Sequence, residues 1–313
     1  MKNRFENSCD NKRYYTFSYY LKKTYGKKVA KISLNTNFGC PNRDGSAGFG
    51  GCTFCSALGS GDFAGNIKDD LALQYKNIKE RVKHKWPDSD YIAYFQAYTN
   101  TYAPLKVLKE TFEPFSLIDE VKAISIATRP DCLSDEIITY LQSLTTKKDI
   151  WVEMGLQTTY DQSAKSFNRG YDYEVFVDTM NRLNQTDIKV CIHMINGLPT
   201  ETKEMMLENV KRIAKIPNIH AVKIHMLHLL KDTKMANQYI ENPWPLLSLE
   251  EYVELVVKQL TYLNKDVVIQ RLTGDGKVEE LVAPLWSLNK GNVLNSIDKY
   301  MALHDIAQGD NYQ

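Results

Sequence analysis

The sequence predicts an α/β fold in which parallel strands alternate with helices and curl into a partial (β/α)6 barrel. From residue 29 onward, short runs rich in β-branched residues alternate with helical stretches, and this unit occurs six times. Strands that are separated by helices form right-handed βαβ units and therefore a parallel sheet. Polar and glycine-rich residues follow each run. In an α/β barrel such residues gather at the carboxyl ends of the strands, which form the active face.

The elements follow from periodicity and from local cap signals. Ser134 and Asp172 suit helix N-caps, because short polar side chains accept hydrogen bonds from the free N–H groups of the first turn. Ser248 and Glu251 have the spacing of a capping box. Strands are predicted at residues 29–35, 91–96, 121–127, 149–155, 187–195, 219–229 and 266–272. Helices are predicted near residues 69–85, 104–113, 134–144, 172–184, 200–215, 248–263 and 289–303.

The chain divides into three predicted parts. Residues 1–28 form an N-terminal arm, residues 29–243 form the partial barrel, and residues 244–313 form a C-terminal α/β extension that packs on the barrel. The segment ENPWP before the extension has the prolines of a break.

Composition excludes several classes of protein. The 313 residues are 43% hydrophobic and 25% charged, with a net charge of +1, which argues against disorder and against a disulfide-rich miniprotein. No apolar run approaches the ~20 residues that span a bilayer, and the first residues lack the apolar core of a signal peptide. We therefore expect a cytoplasmic protein without a membrane partner. In that reducing compartment, the six cysteines favour metal binding, catalysis or simple burial over disulfides.

The charge is unevenly placed along the chain. Residues 1–31 hold nine Lys or Arg against two Asp or Glu, a local charge of +7, so the other 282 residues carry −6. Five of the 19 tyrosines also lie in this segment. Cations that bind phosphates and rings that stack on bases suit a nucleic-acid strand, but an amphipathic helix whose tyrosines pack on the body would look the same. The candidate nucleic-acid contacts are Arg13, Tyr14, Tyr15, Lys22, Lys23, Lys27 and Lys28.

Three cysteines form a compact constellation after the first predicted strand. Cys40, Cys52 and Cys55 have the spacing C-x11-C-x2-C in a glycine-rich loop, and glycine lets backbone approach a bulky group closely. Three thiolates can hold three irons of a 4Fe–4S cluster and leave the fourth iron open to a cofactor. A structural zinc site is the main alternative, although such sites need four ligands, and inert cysteines are a third.

Motifs along most of the chain resemble the radical S-adenosylmethionine (radical SAM) superfamily, in its YhcC/YtqA-type subgroup. This subgroup is in turn similar to the catalytic subunit of Elongator. The long gap in CPNRDG…GGCTFC is typical of the subgroup, whereas the commonest spacing is C-x3-C-x2-C. The other matching segments are RYYTFSYYLKKTYG, YFQAYTNTYAP, IATRPDCL, EMGLQTTYD…NRGYD, HMINGLPTET, IHMLHLLKDT and QRLTGDG…APLWSLNK.

The resemblance implies a 4Fe–4S cluster on Cys40, Cys52 and Cys55, with S-adenosylmethionine bound to its open iron. One electron, from a donor such as a flavodoxin or ferredoxin, then cleaves the sulfonium. The products are methionine and a 5′-deoxyadenosyl radical, which abstracts a hydrogen atom from the substrate. The cofactor supplies the difficult chemistry while the protein positions it and excludes water.

The resemblance also assigns residues to the cofactor. Phe54 matches an aromatic residue beside the adenine and the cluster. Ala97, Tyr98 and Thr99 stand where relatives have a glycine-rich motif that faces the methionine amino group, although the glycines are absent here.

Gln157 and Arg169 match a paired Gln and Arg that relatives use on the cofactor. Arg suits a carboxylate because its fork donates two parallel hydrogen bonds; a surface ion pair is the alternative for Arg169. His193 matches a ribose contact or is a core histidine. Glu153 points into or out of the barrel according to register.

Further polar residues lie on the same predicted face and are candidates for substrate binding. They are His225, His228, Lys231 and Arg271, of which Arg271 could instead belong to a structural turn. Cys132 and Cys191 are expected to be buried small residues without a catalytic role.

Three functions remain compatible with these observations. The subgroup's similarity to Elongator and the basic arm favour modification of tRNA at the C5 side chain of the wobble uridine, with the base flipped into the barrel mouth. A radical SAM enzyme that acts on a small metabolite, a cofactor precursor or a peptide is the second. A non-catalytic, zinc-stabilised RNA-binding protein is the third. The oligomeric state does not follow from the sequence.

Overall fold

Seven parallel strands form one curled sheet, a half-barrel, in the computed structural model, which describes residues 3–59, 61, 64–274 and 276–313. The sheet order is β1-β2-β3-β4-β5-β6-β8. Its strands are β1 (Val29–Leu34), β2 (Asp90–Phe95), β3 (Val121–Thr128), β4 (Asp149–Gln157), β5 (Lys189–Asn196), β6 (Ala221–Met226) and β8 (Val268–Arg271). Two short strands, β7 (Leu229–Leu230) and β9 (Leu281–Ala283), pair antiparallel in a separate sheet. The predicted partial barrel is therefore confirmed, with one strand more than the six βα units.

Helices connect the strands and cover the outer face of the sheet. No described helix is both long and apolar enough to cross a bilayer. The described helices are α1 (Phe17–Tyr25), α2 (Pro41–Asp44), α3 (Leu71–Lys85), α4 (Leu105–Ser116), α5 (Asp135–Leu144), α6 (Asp161–Ser166), α7 (Tyr173–Leu183), α8 (Lys203–Ala214), α9 (Lys234–Glu241), α10 (Leu249–Thr261) and α11 (Lys290–Leu303). Short 3-10 turns lie at Pro130–Cys132 and Leu285–Leu288.

The local cap signals identify the helix starts well. Ser134 accepts a hydrogen bond from the backbone N–H of Ile137, and Ser248 and Glu251 form the full capping box. Asp172 occupies the N-cap position of α7 but makes no side-chain cap bond, and Asp161 accepts a hydrogen bond from the N–H of Tyr173 in the first turn.

Two predicted elements differ from the structure in an instructive way. The run at 219–229 is split, because β6 ends at Met226 and the chain then turns so that β7 pairs with β9. The strand predicted at 266–272 is β8. The predicted boundaries assign it to the C-terminal extension, but it pairs with β6 and so belongs to the main sheet. The C-terminal extension thus supplies the last strand of the half-barrel in addition to packing on it.

Side chains that point into the half-barrel form layers, because successive residues of a strand face opposite sides. The lower layer, near the amino ends of the strands, is apolar and forms one buried cluster with residues of the arm. Its members are Val29, Ile92, Ala123, Trp151, Cys191, Ala221 and Val268. The upper layer lies two residues further along each strand and is polar. Its members are Lys31, Tyr94, Ser125, Glu153, His193, Lys223 and Gln270.

The N-terminal arm closes the bottom of the half-barrel. Thr16, just before α1, pairs with Ile269 of β8, and the N–H of Ile269 donates to the carbonyl of Tyr15 at 2.7 Å. Leu21 is buried in the same cluster as Trp151 of the lower layer. The alternative in which the arm packs on the body is therefore the observed one.

Burial of the arm corrects part of the predicted nucleic-acid contact. Arg13 is 3% exposed and its guanidinium pairs with Asp305 at 2.6 Å, while Tyr14 and Tyr15 are 4% and 8% exposed. Side chains so buried cannot stack on bases or bind phosphates. The remaining candidates, Lys22, Lys23, Lys27 and Lys28, are exposed. They lie at the end of the half-barrel where the strands begin.

Candidate active site

A cavity of about 590 Å³ lies at the carboxyl ends of the strands, above the upper layer. It gathers residues from all seven strands of the main sheet and from the loops that follow them. Two of the residues predicted to hold the cluster, the cofactor or the substrate do not line the cavity: Lys231 is exposed, because it follows β7 outside the barrel, and Ala97 is fully buried. The predicted residues that do line it are Cys40, Cys52, Phe54, Cys55, Tyr98, Thr99, Gln157, Arg169, His193, His225, His228 and Arg271.

The cysteine loop is shaped around the buried side chain of Asn42. The amide nitrogen of Asn42 donates to the carbonyl of Asn168 at 2.5 Å and lies 3.8 Å from the sulfur of Cys52. A Cβ on Gly48 or Gly170 would come within 2.3 or 2.5 Å of the Asn42 Oδ1. A side chain at either position would force Asn42 to shift, and Asn42 joins the cysteine loop to the segment that follows α6.

The donor set of this loop fits an iron–sulfur cluster. All three cysteines are half-buried and free of disulfides. Burial, with the proximity of Cys55 and Cys40, raises the pKa of the Cys52 thiol to about 12. A thiolate at this position therefore needs a metal cation to stabilise it. Within the described residues, no group of three or more His, Cys, Asp and Glu is placed to hold a single metal ion. In a four-iron cluster, by contrast, each thiolate has an iron of its own.

The segment after β2 is bonded to both sides of the cysteine loop. The N–H of Tyr98 donates to the carbonyl of Gly59, and the N–H of Thr99 donates to that of Gly39. Tyr98 has φ of +56°, a backbone conformation that usually favours glycine. Asn100, which is fully buried, donates to the carbonyls of Phe95, Ala97 and Ala127. These bonds hold residues 97–99 against the cavity without the glycines that relatives have there.

Two arginines organise the loops after β3 and β4. Arg169 is 1% exposed and donates to the carbonyls of Leu156 and Thr158 at 2.8 and 2.6 Å. It also pairs with Asp161 at 3.2 Å, so most of its guanidinium donors are engaged by the protein and it is not a surface ion pair; because it also lines the cavity, its contact with the cofactor stays a prediction. Arg129 makes a bidentate pair with Asp131 and donates to the carbonyl of Arg169.

The upper layer centres on Glu153, which is fully buried and points into the barrel. Its carboxylate accepts hydrogen bonds from Lys31 at 2.7 Å, from Ser125 at 2.7 Å and from Lys223. Burial opposes ionisation of this carboxyl, but the two lysines outweigh it and hold the pKa of Glu153 well below its usual value. Burial also lowers the pKa of Lys31 to about 8. The floor of the cavity is therefore an ionised network that spans β1, β4 and β6.

The histidines of the cavity are neutral at pH 7. His193 lies 3.0 Å from the Glu153 carboxylate, but burial and the charge of Lys223 lower its pKa to about 4. Burial and Arg271 lower the pKa of His225 well below its usual value. Burial lowers the pKa of His228 to about 4. Neutral imidazoles can donate and accept hydrogen bonds, so these residues suit contacts to neutral polar groups.

Sequence reasoning missed the cations that hold Glu153. Lys31 and Lys223 each stand in the middle of a mostly apolar strand, in VAKISLN and in IHAVKIHML. A charged residue at a position that faces the barrel interior is the signal that would have identified them. It can be used only when it is known which alternate residues of the strand face inward. Asn42 and Asn100 carried no comparable signal.

Family models and relatives match the chain along most of its length. The model described as "Radical SAM superfamily" matches residues 34–213, and that of the "Radical_SAM C-terminal domain" matches residues 219–302. The uncharacterized protein YtqA of Bacillus subtilis is 47% identical over 311 residues, covering 99% of this chain and 96% of YtqA.

Two more distant proteins extend the comparison. The tRNA uridine(34) acetyltransferase of Methanocaldococcus jannaschii is 25% identical over 186 residues, which cover 59% of this chain and 33% of that protein. The structure of Methanocaldococcus infernus Elp3 superposes with a TM-score of 0.69 at 18% identity, covering 90% of this chain and 64% of that one. The chain belongs to the radical SAM superfamily, in its YhcC/YtqA-type group, and the family's cofactors are a 4Fe–4S cluster and S-adenosylmethionine.

Proposed function

We propose that this radical SAM enzyme modifies tRNA at the C5 side chain of the wobble uridine. The observation that carries the proposal is the similarity to a tRNA uridine(34) acetyltransferase over 186 residues of this chain. A base that enters the cavity at the carboxyl ends of the strands would lie between the cysteine loop and the upper layer. Enzymes that act on a base flip it out of the stack into such a cavity.

The residues of this chain would divide the work. Cys40, Cys52 and Cys55 would hold the cluster. When bound, the cluster and S-adenosylmethionine supply a radical that removes a hydrogen atom from the substrate. With the substrate bound, the barrel walls would exclude water from the cavity.

The floor of the cavity would position the substrate. His225 is uncharged at pH 7 and would hydrogen-bond polar groups of the base, whereas His193, also uncharged, would contact the ribose of the cofactor. Arg271, at the end of β8, would contact an acceptor on the side chain that is modified. An electron donor such as a flavodoxin or ferredoxin would reduce the cluster.

The proposed role of the arm in tRNA binding rests on its four exposed lysines. Because they lie at the opposite end from the cavity, they would bind a part of the tRNA remote from the wobble base. Deleting the arm would open the core at Leu21, so Lys22, Lys23, Lys27 and Lys28 should be replaced together by Ala. Filter binding of tRNA across salt should then show weaker binding and a slope reduced by about 0.7–0.9 for each phosphate that the variant no longer neutralises. An unchanged slope would remove the arm from the proposal.

The decisive experiment is the modified-nucleoside profile of tRNA from a strain that lacks the gene. We expect one C5-modified wobble uridine to disappear and its precursor to accumulate, and the wild-type gene to restore the profile. A Cys52→Ala gene should fail to restore it, whereas Cys132→Ala should succeed, since Cys132 does not line the cavity. An unchanged profile would contradict the tRNA substrate and favour a small metabolite, a cofactor precursor or a peptide.

A further inference from the structure

We propose that Asn42 positions Cys52 and raises the reduction potential of the cluster, because its side-chain amide donates a hydrogen bond to the sulfur of that cysteine. Asn42 lies two residues after Cys40, in the single helical turn of α2, and is fully buried although it is polar. The inference depends on membership of the superfamily, which supplies the cluster, and not on the identity of the substrate.

The amide nitrogen of Asn42 faces the thiol. An asparagine amide has two N–H donors, and one of them donates to the carbonyl of Asn168 at 2.5 Å. The same nitrogen lies 3.8 Å from the sulfur of Cys52, the acceptor for the second donor. The Oδ1 atom is buried and meets no donor among the described residues. Rotating the amide by half a turn would place this oxygen against the Asn168 carbonyl, so the nitrogen stays on the side of the sulfur.

Backbone bonds hold the thiol beside this amide. The N–H of Gly51, just before Cys52, donates to the backbone carbonyl of Asn42 at 2.8 Å. The N–H of Thr53, just after it, donates to the carbonyl of Phe167 at 2.9 Å. Because both neighbours of the cysteine are fixed, the sulfur cannot move far from the Asn42 nitrogen unless these bonds break.

Two glycines leave the space that the Asn42 side chain occupies. A Cβ on Gly48 would lie 2.3 Å from Oδ1, and one on Gly170 would lie 2.5 Å from it. Gly170 has φ of +82°, a conformation that itself favours glycine, whereas Gly48 has no positive φ. Space, and not backbone conformation, therefore favours glycine at residue 48. An alanine there would displace the amide from its place beside Cys52 without removing it.

A hydrogen bond to a cluster sulfur acts on the reduction potential. Reduction adds one electron, and part of the added negative charge resides on the cysteine sulfurs. An N–H donor stabilises that charge, so its bond is stronger in the reduced cluster and the potential rises. The effect is larger in a buried site, where the local dielectric is low. A neutral amide such as that of Asn42 supplies this donor without burying a further charge.

The test uses the reconstituted holoenzyme and needs neither S-adenosylmethionine nor substrate. Asn42→Ala removes the donor, and Gly48→Ala displaces it. Gly39→Ala is the matched control in the same loop, because a Cβ there would come no closer than 3.9 Å to the ring of Tyr102. Iron and sulfide analysis would measure the cluster content of each protein. An anaerobic titration with dithionite and mediators, followed by electron paramagnetic resonance, would measure the midpoint potential.

We expect equal cluster content in all four proteins, since each retains the three cysteines. Asn42→Ala should disfavour reduction about tenfold, which for one electron is a potential lower by about 59 mV. Gly48→Ala should lower the potential in the same direction by a smaller amount, and Gly39→Ala should match the wild type.

Unchanged potentials in Asn42→Ala and Gly48→Ala would overturn the inference. An equal fall in the control would also overturn it, because the loop as a whole and not the amide would then set the potential. If Asn42→Ala failed to assemble a cluster, Gly48→Ala against Gly39→Ala would decide, since both retain the asparagine.

Discussion

Two neighbouring layers inside the half-barrel differ in kind although the same seven strands build both. In the lower layer, Trp151 and Cys191 are buried among apolar neighbours and sealed by the arm. Two residues further along the same strands, Glu153 and His193 face each other across 3.0 Å. A step of one pleat thus separates a dry core from an ionised cavity floor.

The difference between the layers teaches which part of the barrel serves stability and which serves the site. Apolar burial in the lower layer stabilises the fold directly. A buried ionic network is weak evidence for stability, since desolvation offsets most of the attraction between its charges. The polar layer therefore marks where the cavity begins. It also restricts the conformation of the strands around it, because each hydrogen-bonded partner of Glu153 must keep its position.

Removing the central carboxylate is the strongest way to break the polar layer. Glu153→Gln leaves Lys31 and Lys223 inside the barrel without their counter-charge, so the free energy of unfolding should fall by about 3–5 kcal/mol. Urea denaturation of the apoprotein at pH 7 measures it. Glu208→Gln is the matched control, because Glu208 forms an exposed pair with Arg212 and should change stability by under about 0.5 kcal/mol. Equal losses in the two variants would show that the buried network has no special role.

Acid should destabilise the protein through the polar layer, because His193 is uncharged there in the folded protein. The pKa of His193 is about 4 in the folded protein and about 6.5 when unfolded. Between these values the unfolded chain binds more protons, so stability falls as pH decreases from 6.5 to 4, by about 3 kcal/mol for this residue. Unfolding midpoints measured across pH should show a shallower fall for His193→Gln than for wild type. Parallel curves of unfolding midpoint against pH for the two proteins would contradict the lowered pKa of His193.

Exchanging side chains between the layers sharpens the comparison at a smaller scale. Cys191→Ser places a hydroxyl in the apolar layer, where it should cost about 1–3 kcal/mol. Ser125→Cys weakens the bond of 2.7 Å to Glu153 and should cost about 1 kcal/mol. Thermal unfolding of both variants compares them. If Cys191→Ser left thermal stability unchanged, the lower layer would be more accessible to water than its burial indicates.

The surface of the arm should contribute least. Lys22→Ala with Lys23→Ala should change the free energy of unfolding by under about 0.5 kcal/mol, because both side chains are exposed. Leu21→Ala, one residue away but buried against the lower layer, should cost about 2–5 kcal/mol. Urea denaturation of the two variants distinguishes the surface of the arm from its packed face. A large loss in the lysine variant would contradict the division.

Much of the fold could be predicted because its signals are local. The cap at Ser134 and the capping box at Ser248 and Glu251 act within three residues, and the strands can be recognised from the composition of short runs. The cysteine spacing likewise predicted the cluster loop. Contacts that join distant segments could not be predicted, such as the pair of Arg13 with Asp305, 292 residues apart.

The sequence by itself determined the alternation of strands and helices, the helix starts, the thiol loop and the uneven charge. These depend on backbone propensity and on neighbours within a few residues. The tertiary structure alone decided that Glu153 points inward, that Lys31 and Lys223 hold it, that the arm is buried and that Lys231 lies outside the cavity. Each of these depends on how the sheet curls, because curvature brings together side chains that the chain itself keeps 70 to 122 residues apart.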